Sequence, residues 1–191
     1  MNPVYMHPYV EIDGVRTFPD SFIRWLFEEA ERQERAEWMF SSGSVDNPET
    51  FLDEMKHYSQ LWILSGSRVL NGAGSVIGFS WLNNFHGRSA EAHFCVLCKD
   101  RDMALLAGKT MLRSWLNAAS GGEYVLDVVI GLTPKINRAA VRFARDLGMV
   151  RAGEIPHRCL FARNGKTYPG VLSYATRKEV ENHGWIGHQN R

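Results

Sequence analysis

The chain has 191 residues, of which 45% are apolar and 12% aromatic, and its 22 Lys and Arg nearly balance its 21 Asp and Glu. This composition suits a single domain over residues 1–191 with a buried core and excludes a disordered chain. The interspersed charges exclude a dedicated nucleic-acid surface, and no apolar stretch is long enough for a membrane span or has the features of a signal peptide. We therefore expect a cytoplasmic protein with no membrane or nucleic-acid partner.

The first 60 residues predict an edge element followed by two helices. Residues 4–16 turn at Asp13-Gly14, which is typical of an edge strand or hairpin. An amphipathic helix is predicted after Pro19. A second is predicted after Asn47, which can act as the N-cap with Pro48 in the first turn.

Three successive antiparallel strands are predicted next. They run from Leu61 to Leu64, over 75–85 after a tight hairpin at 71–74, and from Ser89 to Leu97 after a turn at 86–88. A period of two in the third strand predicts two opposite faces. One face carries Glu91, His93 and Cys95, and the other carries Ala92, Phe94 and Val96.

A helix and a further strand follow. Apolar residues recur at helical spacing from Ala104 to Ala118, and Gly121-Gly122 is predicted to end the helix. The β-branched apolar run from Glu123 to Leu132 is typical of a strand buried on both faces. A strand, helix, strand connection of this length implies parallel strands with a right-handed crossover. The sheet should therefore be mixed.

The next helix has the clearest predicted limits. Thr133 can be its N-cap and Pro134 its first residue. One apolar stripe follows, and Gly148 stands where a left-handed C-cap is needed. The stripe consists of Ile136, Ala140, Phe143 and Leu147.

This strand and helix resemble the second half of the GNAT N-acetyltransferase superfamily. The family pattern has an Asn near the helix start, then a small residue, an apolar face and Leu-Gly followed by an apolar residue. The residues that match it here are Asn137, Ala140, Leu147, Gly148 and Met149. The closing segment, 153–180, is similar to the ribosomal-protein Ser/Ala N-acetyltransferase branch. The resemblance implies an α/β (α+β) fold with a central mixed, twisted sheet of about seven strands and about four helices.

The resemblance also implies acetyl-CoA as co-substrate. Its pantetheine arm would pair with the main chain of the third strand at Phe94 and Val96, and Asn137 would meet the same arm. Its pyrophosphate would lie on first-turn amides of the next helix, where unpaired N–H groups make an anion site. The residues at these positions are Arg101, which matches the family, Ala104, a small stand-in for the first glycine, Leu105 and Leu106. Asp102 and the leucines depart from the glycine-containing family pattern.

Acetylation of an amine needs a base, and the leaving thiolate needs an acid. Glu91 matches an acidic position of the ribosomal-protein branch, and His93 shares its face. Where many family members have a Tyr acid, this chain has Ala144, so Tyr174 is a substitute by residue type only. In the family, the segment between the first two helices lines the acceptor pocket, so Trp38 to Phe40 could hold a substrate side chain. Ordinary core packing of this cluster is the favoured alternative.

Three cysteines are an odd number and fit a reducing compartment. Cys95 and Cys98 with His157 and Cys159 formally offer four zinc ligands. The first pair lies in an apolar run without a Gly or Pro turn, which favours buried cysteines that act as small hydrophobes. We predict that no metal is needed.

The sequence therefore predicts transfer of an acetyl group from acetyl-CoA to a primary amine of a small molecule, peptide or protein. The alternative is a non-catalytic binding or assembly protein of the same fold that has lost the cofactor site. A homodimer is an assembly that the sequence leaves open.

Overall fold

The computed structural model describes residues 3–70 and 75–182, so the hairpin predicted at 71–74 lies outside the described residues. Within them the helices are α1 (Asp20–Arg32), α2 (Ala36–Met39), α3 (Pro48–His57), α4 (Arg101–Asn117), α5 (Arg138–Asp146) and α6 (Arg177–Asn182). The strands are β1 (Tyr5–Pro8), β2 (Glu11–Ile12), β3 (Val15–Arg16), β4 (Gln60–Ser65), β5 (Val76–His86), β6 (Ser89–Val96), β7 (Ala119–Ser120), β8 (Glu123–Tyr124), β9 (Val128–Pro134), β10 (Val150–Phe161) and β11 (Lys166–Thr176).

Seven of these strands form one sheet in the order β1-β4-β5-β6-β9-β11-β10. Strands β1, β4, β5 and β6 are antiparallel in succession, and so are β9, β11 and β10. The parallel pair is β6 and β9, which α4 connects. This arrangement confirms the predicted mixed sheet of about seven strands.

Helices cover both faces of the sheet. Buried residues of α1 and α3 pack on one face with Phe79, Trp81 and Cys95, whereas α4 and Leu147 pack on the other with Ala90 and Ala92. The predicted alternation of side chains along β6 is confirmed by these two clusters. None of the helices within the described residues is long and apolar enough to cross a membrane.

Local capping signals in the N-terminal half are confirmed. Asp13 and Gly14 both have positive φ (51° and 77°) and form the turn between β2 and β3. Asn47 Oδ1 accepts from the amides of Glu49 and Thr50, while the Thr50 hydroxyl accepts from the Asn47 amide. This reciprocal pair is the capping box that starts α3.

The start of α5 differs from the prediction. Thr133 and Pro134 are the last residues of β9 and pair with Val171 and Gly170 of β11. Proline is tolerated at such a strand end, where no ladder donor is required. The N-cap is Asn137, whose Oδ1 accepts from the Ala140 amide at 3.1 Å. The helix end is as predicted, because Gly148 follows the C-cap with φ 89°.

The end of α4 also differs from the prediction. The helix ends at Asn117, and Gly121-Gly122 (φ 61° and 84°) form the tight turn between β7 and β8 instead. The run from Glu123 to Leu132 consequently divides into β8 and β9 rather than forming one strand. Two adjacent glycines with positive φ suit such a two-residue hairpin turn.

Candidate active site

Strands β6 and β9 pair for three residues and then separate. The last parallel pair is Glu91 with Ile130. Beyond it, the amides of Leu97 and Cys98 both donate to the Ile77 carbonyl oxygen, at 2.8 and 2.9 Å, and hold the end of β6 against β5. Gly78 permits this close approach, because a Cβ there would lie 2.2 Å from the Cys95 carbonyl oxygen. The central sheet therefore opens into a cleft between β6 and β9.

A cavity of about 800 Å³ occupies this cleft. Most of the residues predicted for the site line it, namely Glu91, His93, Phe94, Val96, Arg101, Ala104 and Asn137. Leu105, Leu106 and Tyr174 are not among its lining residues. Phe94 packs edge-on against Phe143 of α5, with ring centroids 6.0 Å apart, so one wall of the cavity is apolar.

Sequence analysis missed the basic residues at the cavity wall. Arg35, between α1 and α2, and Arg158, on β10, both line the cavity. Arg158 lies in the irregular segment of β10 where the register with β11 shifts between Ile155 and Cys159, and the neighbouring His157 has φ 55°. Such a bulge re-aims side chains. No local sequence signal marks this bulge.

The His93 ring is tightly held. It lies parallel to the Trp81 indole with centroids 4.7 Å apart, and its Nε2–H donates to Asn83 Oδ1 at 2.9 Å. Because the amide oxygen only accepts, this tautomer leaves the lone pair on Nδ1. The ring is half-buried, and its desolvation lowers the pKa of His93 from 6.5 to about 4. His93 is therefore neutral near pH 7.

A second, smaller cavity of about 270 Å³ adjoins the first at His93. The two share Met39, Ser42 and His93. The rest of the small cavity is lined by Phe40, Ser44, Val45, Glu54, Trp81, Asn83 and Asn84. It therefore combines an aromatic wall with hydroxyl, amide and carboxylate groups.

The aromatic cluster between α1 and α3 divides between core and cavity. Phe40 stacks on Trp81 at 5.4 Å and meets Phe51 at 5.8 Å, as the core-packing interpretation predicts. Trp38 is 39% exposed and lines the large cavity, and Met39 lines both. Only part of the cluster is ordinary core.

Glu91 is half-buried at the position where β6 and β9 separate. Its carboxylate forms no hydrogen bond or ion pair with any of residues 3–70 and 75–182. A carboxylate without a partner at the edge of a cavity can accept a proton from a ligand.

The first turn of α4 is already capped by this chain. Asp100 Oδ1 accepts from the amides of Asp102 and Met103 at 2.9 and 3.1 Å. The Ala104 amide donates to the Asp100 carbonyl oxygen, and the amides of Leu105 and Leu106 lie further inside the helix, where N–H groups bond to residues one turn earlier. The predicted free amides at Ala104, Leu105 and Leu106 are therefore not available.

Arg101 also has a partner within the chain. One guanidinium nitrogen lies 2.7 Å from a carboxylate oxygen of Asp146 at the end of α5. Asp146 accepts from Arg145 as well, and hydrogen bonds from Arg145 and then Arg101 lower its pKa. Arg101 thus links the start of α4 to the end of α5.

The predicted acid, Tyr174, and the Cys95 thiol lie in surroundings that are typical of structural residues. Tyr174 is half-buried on β11 and pairs with Ile130 and Val150, away from the cavity lining, whereas Ala144 lines the cavity. Burial raises the pKa of the Cys95 thiol to about 12. Across residues 3–70 and 75–182, no three His, Cys, Asp or Glu side chains are grouped as metal ligands would be.

The mixed sheet that opens between β6 and β9 is the GNAT acetyltransferase fold. A spermidine N-acetyltransferase from Vibrio cholerae, in complex with CoA and spermine, is similar over 94% of this chain and 98% of its own (TM-score 0.64, 12% identity). A ribosomal-protein alanine acetyltransferase from Vibrio fischeri is similar over 83% and 90% (TM-score 0.61, 13% identity). A microcin self-immunity acetyltransferase in complex with acetyl-CoA and AMP is similar over 82% and 86% (TM-score 0.59, 11% identity). No protein-family model and no curated protein sequence matches the chain.

Proposed function

We propose that this protein is an N-acetyltransferase that moves an acetyl group from an acetyl thioester, acetyl-CoA in the first instance, to a primary amine. The observation that carries the proposal is the junction of two cavities at His93. The large one is an open-ended slot between two strands, and the small one is polar. The large cavity suits a thioester arm, and the small cavity suits an amine.

The cleft fits the pantetheine arm of the donor. Beyond Glu91 the main chain of β6 is not paired with β9, so peptide groups at Phe94 and Val96 are suited to pair with the amides of the arm. The apolar wall formed by Phe94 and Phe143 would exclude water from the thioester. The thioester supplies the activated acyl group.

Glu91 is the proposed proton acceptor. The amine nitrogen would attack the thioester carbonyl carbon, forming the C–N bond as the C–S bond breaks. The Glu91 carboxylate takes the amine proton, and the sulfur leaves as a thiolate that solvent protonates. His93, neutral and fixed by Asn83, orients the amine through the Nδ1 lone pair.

The small cavity is the proposed acceptor pocket. Its volume of about 270 Å³ lies just below the range of pockets that hold drug-sized ligands, about 300–1,000 Å³. An amine of roughly amino-acid size, or the end of a longer one, would fill it. The half-buried Glu54 carboxylate at its wall would attract a cationic or hydrogen-bond-donating substituent.

A non-catalytic protein of the same fold is the second candidate. It is favoured by the Asp100 cap on α4 and by Ala144 at the position where a Tyr acid is common in the family. Incubation with acetyl-CoA and a panel of small amines and peptide N-termini, read by product mass, tests the two. We expect an N-acetylated product from at least one small polar amine. Absence of any product, together with an unchanged melting temperature in millimolar acetyl-CoA, would support the second candidate.

A further inference from the structure

The beginning of α4 is where a diphosphate would be expected to bind in this fold, but two amides of its first turn are already occupied. The N–H groups of Asp102 and Met103 are two of the few that an α-helix leaves unpaired, and both donate to Asp100 Oδ1. A phosphate oxygen would have to replace a carboxylate that is covalently part of the chain. The helix dipole, which would favour a phosphate, is already neutralised by Asp100.

The charges around this turn add to the obstruction. Asp102 is an exposed second carboxylate in the same turn, and Asp146 holds Arg101 at 2.7 Å. The one arginine in this turn is thus engaged by a carboxylate rather than directed to a free phosphate site. Of these three carboxylates, Asp100 is the one that lines the cavity, beside Lys99 and Arg101, so it is the like charge that an incoming diphosphate would meet.

The cleft below this turn shows no such obstruction. It has about 800 Å³ and exposes the edge of β6 that is not paired with β9, which suits the amides of a pantetheine arm. The donor features that fit are therefore the arm and the thioester, whereas the nucleotide diphosphate does not fit.

We propose, building on the acetyltransferase function above, that this protein recognises its acyl donor through the pantetheine arm and thioester alone, with the Asp100 carboxylate in the place of the donor diphosphate. Acyl-pantetheine thioesters without a nucleotide are then substrates comparable to acyl-CoA. Such an arm is carried by free pantetheine, by CoA and by the prosthetic group of acyl carrier proteins.

Calorimetric titration and steady-state kinetics with S-acetylpantetheine, acetyl-CoA and an acetylated acyl carrier protein test this proposal. In the wild type we expect the Kd and KM of S-acetylpantetheine to lie within about threefold of those of acetyl-CoA. If the acetylated carrier protein binds more tightly than S-acetylpantetheine and acetyl-CoA, the carrier protein is the source of the arm. If it binds no more tightly, the free thioesters are the source. Acetyl-CoA that binds more than a hundredfold more tightly than S-acetylpantetheine would overturn the proposal.

Three variants distinguish the effect of the occupied amides on acetyl-CoA binding from the effect of the negative charge. Asp100→Gly removes the capping carboxylate at a position where Gly is tolerated, and it should lower the Kd of acetyl-CoA about tenfold without changing that of S-acetylpantetheine. Asp100→Asn keeps a capping oxygen and should improve acetyl-CoA binding less. Asp102→Asn, the matched control, removes one charge without freeing an amide. Equal improvement by Asp100→Gly and Asp102→Asn would overturn the occupancy argument.

The binding measurements distinguish failure of this inference from failure of the acetyltransferase function. If neither thioester binds to the folded wild type, both are wrong. If both bind equally and no amine is acetylated, the donor inference holds and the catalytic function is wrong. Melting temperatures of the three variants establish that each is folded.

Discussion

The imidazole of His93 lies flat on the indole of Trp81, 4.7 Å between centroids and 10° between planes, at the boundary between the two cavities. Stacking on Trp81 fixes one face of the ring, and the hydrogen bond to Asn83 fixes its Nε2 edge. The ring is thereby held in one orientation, and its burial, which lowers the pKa of His93 to about 4, keeps it neutral near pH 7.

Conservative substitutions test the proposed roles of Glu91 as the proton acceptor and of His93 as the group that orients the amine. Glu91→Gln keeps the side-chain shape and removes the proton acceptor, so kcat should fall about a hundredfold or more with little change in the Kd of the donor. His93→Gln should cost less, because the proposed role of His93 is to orient the amine and not to accept its proton. Full kcat in Glu91→Gln together with its loss in His93→Gln would reverse the assignment.

Desolvation of His93 predicts an acid-sensitive stability. The folded protein binds this proton with a pKa of about 4, whereas the ordinary pKa of 6.5 applies to the unfolded chain. The unfolded state therefore binds more protons between these values, so the stabilisation is complete above pH 6.5 and is lost as the pH falls towards 4. The loss should be at most about 3.5 kcal/mol, because a one-unit shift corresponds to about 1.4 kcal/mol.

Denaturant unfolding at a series of pH values checks this prediction. His93→Gln should flatten the slope between pH 4 and 6.5. His86→Gln, which replaces an exposed histidine on β5, should leave the slope unchanged. An identical slope in wild type and His93→Gln would show that other groups cause the acid sensitivity.

The Glu54 carboxylate should set acceptor affinity. Glu54→Gln is expected to raise the KM of a cationic acceptor about tenfold or more and to leave kcat nearly unchanged, because hydrogen bonds to charged groups contribute about 1.5–3 kcal/mol. Asp53→Asn changes the net charge equally on the exposed side of α3 and serves as the control. Equal effects of the two substitutions would indicate a general charge effect rather than contact with the acceptor.

The opening of the sheet should depend on Gly78. Gly78→Ala would place a Cβ 2.2 Å from the backbone oxygen of Cys95, so β5 and β6 must move apart. We expect a loss of about 3 kcal/mol in the free energy of unfolding, at the upper end for overpacking. Gly153→Ala meets no atom within 4 Å and should be tolerated. Equal stability of the two variants, measured in urea, would contradict this account of the cleft.

Features that depend on adjacent residues could be predicted from the sequence. The cap of α3 by Asn47 involves residues three positions apart, and the left-handed Gly148 follows directly from the end of an apolar stripe. The cap of α5 was predicted at Thr133 because the pairing of Thr133 with Val171 is a long-range contact that no local pattern shows. The fold was therefore easier to predict than the limits of its elements.

The site was predictable to the extent that it lies on β6. Alternation along one strand brought Glu91 and His93 to one face, whereas Arg158 reaches the cavity through an irregularity in β10. The Asp100 cap on α4 is local in sequence, but the family resemblance predicts a phosphate site from the residues after it. The inference about the acyl donor depends on this departure of the first turn of α4 from the family pattern.

The measurement that tests the central claim most directly is amine-dependent thiol release from an acetyl thioester, with the N-acetyl product counted by mass spectrometry. We predict one product for each thiol released by the wild type, and a rate at least a hundredfold lower in Glu91→Gln. Thiol release that is independent of the amine, or equal in wild type and Glu91→Gln, would contradict an acyl transfer centred on the β6–β9 cleft.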